Sequence, residues 1–176
     1  MKKMILKAMA IFMGLAMSMA FSACGDDNDE PAVPQKKTTD VVVNYSLSLS
    51  EDYYDLWDIE VTYTGAGGRP VTEKITMDWN LELDLKTADE IPTRYSLSAV
   101  ARPKATAPAL VADKVYDLTA EYQLTIATFT ADGKPGNSAG MLVPVKKSLS
   151  TDGAHLTKAV TESRNICDVT YDITID

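Results

Sequence analysis

Only two cysteines, Cys24 and Cys167, occur in 176 residues. That count excludes a disulfide-stapled scaffold and a cysteine-rich zinc site. There is one histidine, His155, with no set of carboxylates placed around it; a surface or helix-start histidine is the reading, and no metal and no cofactor are expected. Positive charge is scarce: 17 Lys and Arg stand against 25 Asp and Glu, for a net charge of −8. Binding to nucleic acid or to an anionic lipid surface needs basic patches, so neither is expected. No apolar run reaches the roughly 20 residues of a membrane-spanning helix. Internal repeats are absent, and low complexity is confined to a short acidic stretch near the start.

What is present begins with three zones. Lys2, Lys3 and Lys7 make a positive start, Ala8 to Ala20 an apolar run, and Phe21-Ser22-Ala23 a small-residue approach to Cys24. A charged region, roughly 7–15 apolar residues and a small-residue cleavage site describe a secretory signal. Residues 1–23 are read as that signal. Without its three lysines the net charge falls from −8 to −11.

Phe21-Ser22-Ala23-Cys24 resembles the lipobox of bacterial lipoproteins. Phe21 stands where that family usually has leucine. The resemblance implies that the Cys24 thiol carries a lipid and that Cys24 becomes the mature N-terminus. Several acyl chains suffice for stable anchoring, since each buried CH₂ contributes about 0.8 kcal/mol. The next residues include Asp26, Asp27, Asp29 and Glu30, an acidic run that resembles the surface-export signal of Bacteroidetes lipoproteins. It implies an address on the outer face of the outer membrane; the alternatives are a plain solvated tether and an anchor facing the periplasm. The spacing of these acids does not match an EF-hand loop. Residues 24–39, with Pro31 and Pro34, form the tether, and residues 40–176 form one domain.

Alternation of apolar and polar residues runs through that domain. Val41, Val43, Tyr45, Leu47 and Leu49 share one face; Trp57, Ile59, Val61 and Tyr63 share another. Ile75, Met77, Trp79, Leu81, Leu83 and Leu85 read as one strand of about 35 Å at roughly 3.3 Å per residue. Further strands carry Tyr95 to Ala101, Tyr116 to Ile126, and Cys167 to Ile175. Phe129 breaks the register of its strand and signals a bulge. Met141 to Val145 reads as a short sixth strand, placed at an edge by Pro144. Ser150 to Ser163 is the one predicted helix. A period of two marks half-buried strands, so the prediction is an antiparallel β-sandwich of about seven strands with one short helix before the last. An up-and-down β-barrel is the alternative.

Candidate chemistry is thin. Gly136-Asn137-Ser138-Ala139-Gly140 matches G-x-S-x-G, with Asp152 and His155 following in hydrolase order. The motif carries meaning only at a strand-to-helix elbow on a parallel sheet, and here it follows turn residues in an antiparallel context. A small-residue loop is the reading and a small hydrolase the remote alternative; no catalytic residue is assigned. Cys167 falls on an apolar strand face and reads as a buried, inert thiol. Trp57 and Trp79 fall on inward faces and read as core. Tyr53 and Tyr54, in the acidic turn Glu51-Asp52-Tyr53-Tyr54-Asp55, are the candidate ligand platform. Asp52, Asp55 and Asp58 read as solvated acids. The expectation is a lipid-anchored, non-enzymatic binding or accessory module for a glycan, a peptide or a partner protein. The alternative is a structural component of a cell-surface complex, presenting a strand edge near Met141 to Val145.

Overall fold

The computed structural model describes residues 37–141 and 143–175. They form two antiparallel sheets packed face to face, not a closed barrel. Sheet A has the order β4-β1-β6-β7, with β8 also on β6; sheet B has the order β3-β2-β5-β9. The strands are β1 (Thr38–Leu49), β2 (Trp57–Thr64), β3 (Pro70–Ile75), β4 (Trp79–Leu85), β5 (Arg94–Pro103), β6 (Val115–Thr130), β7 (Pro135–Met141), β8 (Val145–Asp152) and β9 (Arg164–Asp172). Two short helices are α1 (Glu51–Leu56) and α2 (Gly153–Ala159).

The predicted alternation explains the core. Val41, Val43, Tyr45 and Leu47 of β1 are each at most 1% exposed, and they face Ile59, Val61, Leu97 and Ala99 of sheet B, equally buried. Burying each such side chain contributes about 1.5–3 kcal/mol. The 16-residue β6 organises sheet A. One edge of β6 pairs with β1; the other pairs with β8 along its first half and with β7 along its second. The bulge predicted at Phe129 appears as a register shift between Ala127 and Phe129 against β7.

Nine strands form rather than about seven, for two reasons. The segment read as one strand from Ile75 to Leu85 breaks at Thr76-Met77-Asp78 and changes sheet: β3 belongs to sheet B and β4 to sheet A. Asp78 Oδ1 accepts the Leu49 N–H at 3.2 Å, which pins the corner. Ile75 and Trp79 are four residues apart, so inward parity survives the turn and the alternation conceals it. Met77, read as inward, sits on the corner and is 70% exposed. The second reason is that the short strand read from Met141 to Val145 is not formed: Met141 ends β7, which takes up the stretch from Pro135 read as turn and small-residue loop, and Val145 starts β8. The two lysines and three hydroxyl residues of β8 carry no period of two, because this edge strand is largely exposed and even its inward position 147 holds a lysine. Strand therefore replaces the start of the predicted helix, and α2 spans only Gly153–Ala159. Pro144 lies in neither strand but between β7 and β8, consistent with its missing N–H.

Where β1 stops, α1 takes over its edge of β6. Ser50 N–H donates to Thr119 O at 2.8 Å, as a further strand residue would. The Ser50 hydroxyl donates to Asp117 O at 2.5 Å and accepts the Thr119 N–H at 3.0 Å. Asp52 Oδ2 accepts the Asp117 N–H at 2.6 Å. Side chains thus satisfy backbone groups that a strand would otherwise pair. This use explains why Ser50, at the N-cap position of α1, makes no side-chain capping bond to that helix.

Candidate functional site

The strands run between two unlike ends. One end carries α1, the corner 76–78, the loop 104–114 and α2. The other carries the turn at 65–69, the loop 86–93, the turn at 131–134 and the start of β1. Along the 12 residues of β1 these ends are roughly 40 Å apart at about 3.4 Å per residue.

Tyr53 and Tyr54 lie at the helical end. In α1, Tyr53 and Leu56 share one helical face and both are buried. The Tyr53 ring packs 5.7 Å from the ring of Trp57, itself 1% exposed. The Arg164 guanidinium covers both, 5.7 Å from the Tyr53 ring and 5.5 Å from the Trp57 ring. Tyr54 is half-buried, and its hydroxyl is enclosed. Burial first, and then the charge of Asp78, push that hydroxyl up to about 12. The Tyr54 carbonyl accepts from Lys104 Nζ at 2.7 Å. The pair therefore ties α1 to the corner and to the 104–114 loop and does not form an open stacking face. Trp57 is core as expected, whereas Trp79 is half-buried on a flank.

Beside them is a cleft of about 670 Å³ between the 103–110 segment and α2. Pro103, Pro108, Leu110 and Val160 give it apolar walls, and Lys104 gives it a cation. The hydroxyls of Thr157 and Thr161 are turned to the helix, donating to Gly153 O at 3.1 Å and to Lys158 O at 2.8 Å. A second hollow of about 430 Å³ lies at the other end, where Arg94 is bound by both carboxylate oxygens of Asp172 at 2.7 and 3.0 Å.

Of the residues weighed for catalysis, Asp152 and His155 meet at the start of α2. Gly136 to Gly140 lies within β7, paired antiparallel to β6, and not at a strand-to-helix elbow. Asp152 caps α2: its Oδ1 accepts the His155 N–H at 3.0 Å and lies 2.7 Å from His155 Nδ1. The backbone bond first, and the ring second, hold the Asp152 carboxyl below its ordinary value. Asp52 is used by Asp117 and lies 3.7 Å from Lys114 Nζ, while Asp55 and Asp58 are exposed. Among the described residues no group of three or more His, Cys, Asp or Glu could hold a metal ion. Cys167 is buried, and burial pushes its thiol up to about 12.

The two flanks of the sandwich, which the alternation did not single out, are each latched by one charged side chain. Glu73 of β3 shares the inner face with Val61; it accepts from the Tyr63 hydroxyl at 2.8 Å and from Trp79 Nε1 at 3.3 Å. Lys147 of β8 shares the inner face with Ala120; it donates to Ile166 O at 3.1 Å and lies 5.3 Å from the Tyr122 ring centroid. Each latch reaches from an edge strand of one sheet to an edge strand of the other. A charged residue in an alternating pattern reads as solvent-facing, which is why the pattern missed both.

Cys24, Asp26, Asp27, Asp29 and Glu30 lie outside the described residues. Among the described residues no helix is long and apolar enough to cross a membrane. No family model, no curated protein and no solved structure matches the chain.

Proposed function

We propose that this protein is a lipid-anchored lipoprotein of the bacterial outer membrane, held on the outer surface, whose β-sandwich is a non-enzymatic binding or accessory module. The observation that carries the reading is Cys24 behind Phe21-Ser22-Ala23 and a short apolar run, followed at once by Asp26, Asp27, Asp29 and Glu30. Lipidation at Cys24 supplies the anchor. The acidic run supplies the outward address, with the periplasmic face as its alternative.

The domain suits a module held at one end. The chain enters β1 at Thr38, and the 670 Å³ cleft lies at the opposite end of the strands. Protein and peptide ligands are favoured over glycans. Among the described residues only Tyr171 has an exposed large aromatic side chain, at 36%, whereas sugar platforms need open aromatic faces. A structural role in a surface assembly is the second reading, supported by the edge strands of both sheets.

Metabolic labelling with a fatty acid and protease shaving of intact cells test the anchor and its address. The wild type is expected to take up label and to lose the domain to protease. Cys24→Ala is expected to lose the label. Replacing the four acids is expected to protect the domain from protease while keeping the label. A wild type that stays unlabelled removes the lipoprotein reading; one that is labelled but fully protected moves the protein to the periplasmic face.

A further inference from the structure

An exposed strand edge offers unpaired N–H and C=O groups to any extended chain, and proteins blunt such edges with bulges, proline or inward-pointing charge. Among the described residues, four of the five edge strands carry such a device. β3 starts at Pro70 and points Glu73 inward; β8 follows Pro144 and points Lys147 inward. β7 meets β6 through a register shift, and β9 meets β5 through another between Ala99 and Val100.

β4 has no bulge, no proline and no inward-pointing charge of its own; what guards its edge is the outward pair Glu82 and Asp84, which repels an acidic strand and not a cationic one. β4 pairs with β1 in unbroken register from Leu47–Trp79 to Val41–Leu85, and among the described residues no strand lies on its other edge. Its inward side chains are also incompletely covered. Trp79, Leu81 and Leu83 are half-buried, whereas their partners on β1, Leu47, Tyr45 and Val43, are at most 1% exposed. One further strand beside β4 would cover that apolar row and pair its backbone.

We propose that β4 is a docking edge, and that its occupant is an extended, cationic segment of a partner protein that adds to sheet A as a further antiparallel strand. The inference rests on the reading of the domain as a binding module and names its site and partner class. Charge selects the occupant. The outward row of β4 is Asn80, Glu82 and Asp84, all exposed, with Asp78 at the corner before it and Glu73 beneath Trp79. Lys86 answers Asp84 at 3.0 Å, and Glu82 has no such partner among the described ion pairs. Like charges directly opposite destabilise a strand pair, so an acidic strand is rejected. A second copy's β4 is rejected for the same reason. A strand alternating apolar residues with Lys or Arg places its cations against Glu82 and Asp84 and its apolar side chains over Leu81 and Leu83.

Trp79 stands on the proposed edge and reports on it, while Trp57 is buried elsewhere and stays constant. Full-length protein in a non-ionic detergent is titrated with a short peptide of alternating valine and lysine, and in parallel with one of valine and glutamate. The lysine peptide is expected to give a saturable blue shift of tryptophan emission that vanishes in Trp79→Phe and weakens with salt. The double variant Glu82→Lys with Asp84→Lys is expected to bind it at least about tenfold less tightly and to take up the glutamate peptide instead. Both substitutions are exposed, and far-ultraviolet circular dichroism checks that the variant is folded. Absence of any shift, equal binding of the two peptides, undiminished binding by the double variant, or a shift that survives Trp79→Phe would each overturn the proposal. Shaving and labelling address the anchor and not the edge, so either idea can fail alone.

Discussion

Ser50→Ala tests whether α1 truly substitutes for a strand along β6. The hydroxyl makes two hydrogen bonds to β6, one to Asp117 O and one from the Thr119 N–H. A neutral hydrogen bond contributes about 0.5–1.5 kcal/mol net, so the pair contributes about 1–3 kcal/mol. The Asp117 carbonyl is open to water and recovers part of its loss, whereas the Thr119 N–H is half-buried and recovers less. The expected cost is therefore about 1–2 kcal/mol. For a domain of this size that lowers the melting temperature by roughly 3–10 °C. Thermal unfolding followed by circular dichroism measures the shift, and amide exchange measures whether Thr119 loses protection. Ser50→Thr keeps the hydroxyl and should lie close to wild type. A change under about 0.3 kcal/mol in Ser50→Ala, with Thr119 still protected, would refute the strand-mimic argument.

Gly153→Ala sets two effects against each other. Alanine is favoured over glycine in a helix by about 1 kcal/mol, but a Cβ here would lie 2.2 Å from the Val111 carbonyl oxygen. Backbone cannot yield as a side chain can, so a net loss of about 1–3 kcal/mol is expected in urea denaturation. Cys167 should be inert in the folded protein. In Cys24→Ala it is the sole thiol, and at about pH 8 a thiol reagent should label it only after unfolding. The Asp152 cap should make α2 sensitive to acid. Its carboxyl is held below the ordinary value when folded, so its contribution is present above the usual carboxylate range and is lost as pH falls through the lowered value. Melting temperature followed downward from about pH 5 should fall more steeply in wild type than in Asp152→Asn; parallel curves would remove the cap from the account.

The candidate sites were legible to different degrees. The turn tyrosines could be located but not oriented, because the α1 helix that turns Tyr53 inward is only six residues long and carries little periodic signal. The G-x-S-x-G stretch, read as a small-residue loop, is instead part of strand β7, whose glycines and serine carry no period of two, and the capping role of Asp152 needed the start of α2. Glu73 and Lys147 were invisible as latches. Their inward direction follows from strand parity, but the partners that make them latches, Trp79 for Glu73 and the Ile166 carbonyl for Lys147, lie on the opposite sheet.

Sequence alone determined the class of fold. A strict period of two puts Val41, Tyr45, Val61 and Leu97 on inner faces, because alternate strand residues can only point to opposite sides of a sheet. Sequence also carried what lies outside the described residues, the approach to Cys24 and the acidic run behind it. Tertiary structure decided the rest. It cut Ile75–Leu85 into strands of two different sheets at a corner that preserves parity, and it made Val145–Asp152 a strand with no pattern of its own. Pairing across sheets is a long-range matter: which edge is covered, which is latched and which is left open depends on residues distant in sequence. That is why β4, which reads as half of a core strand, is an edge of sheet A with no described strand on its outer side.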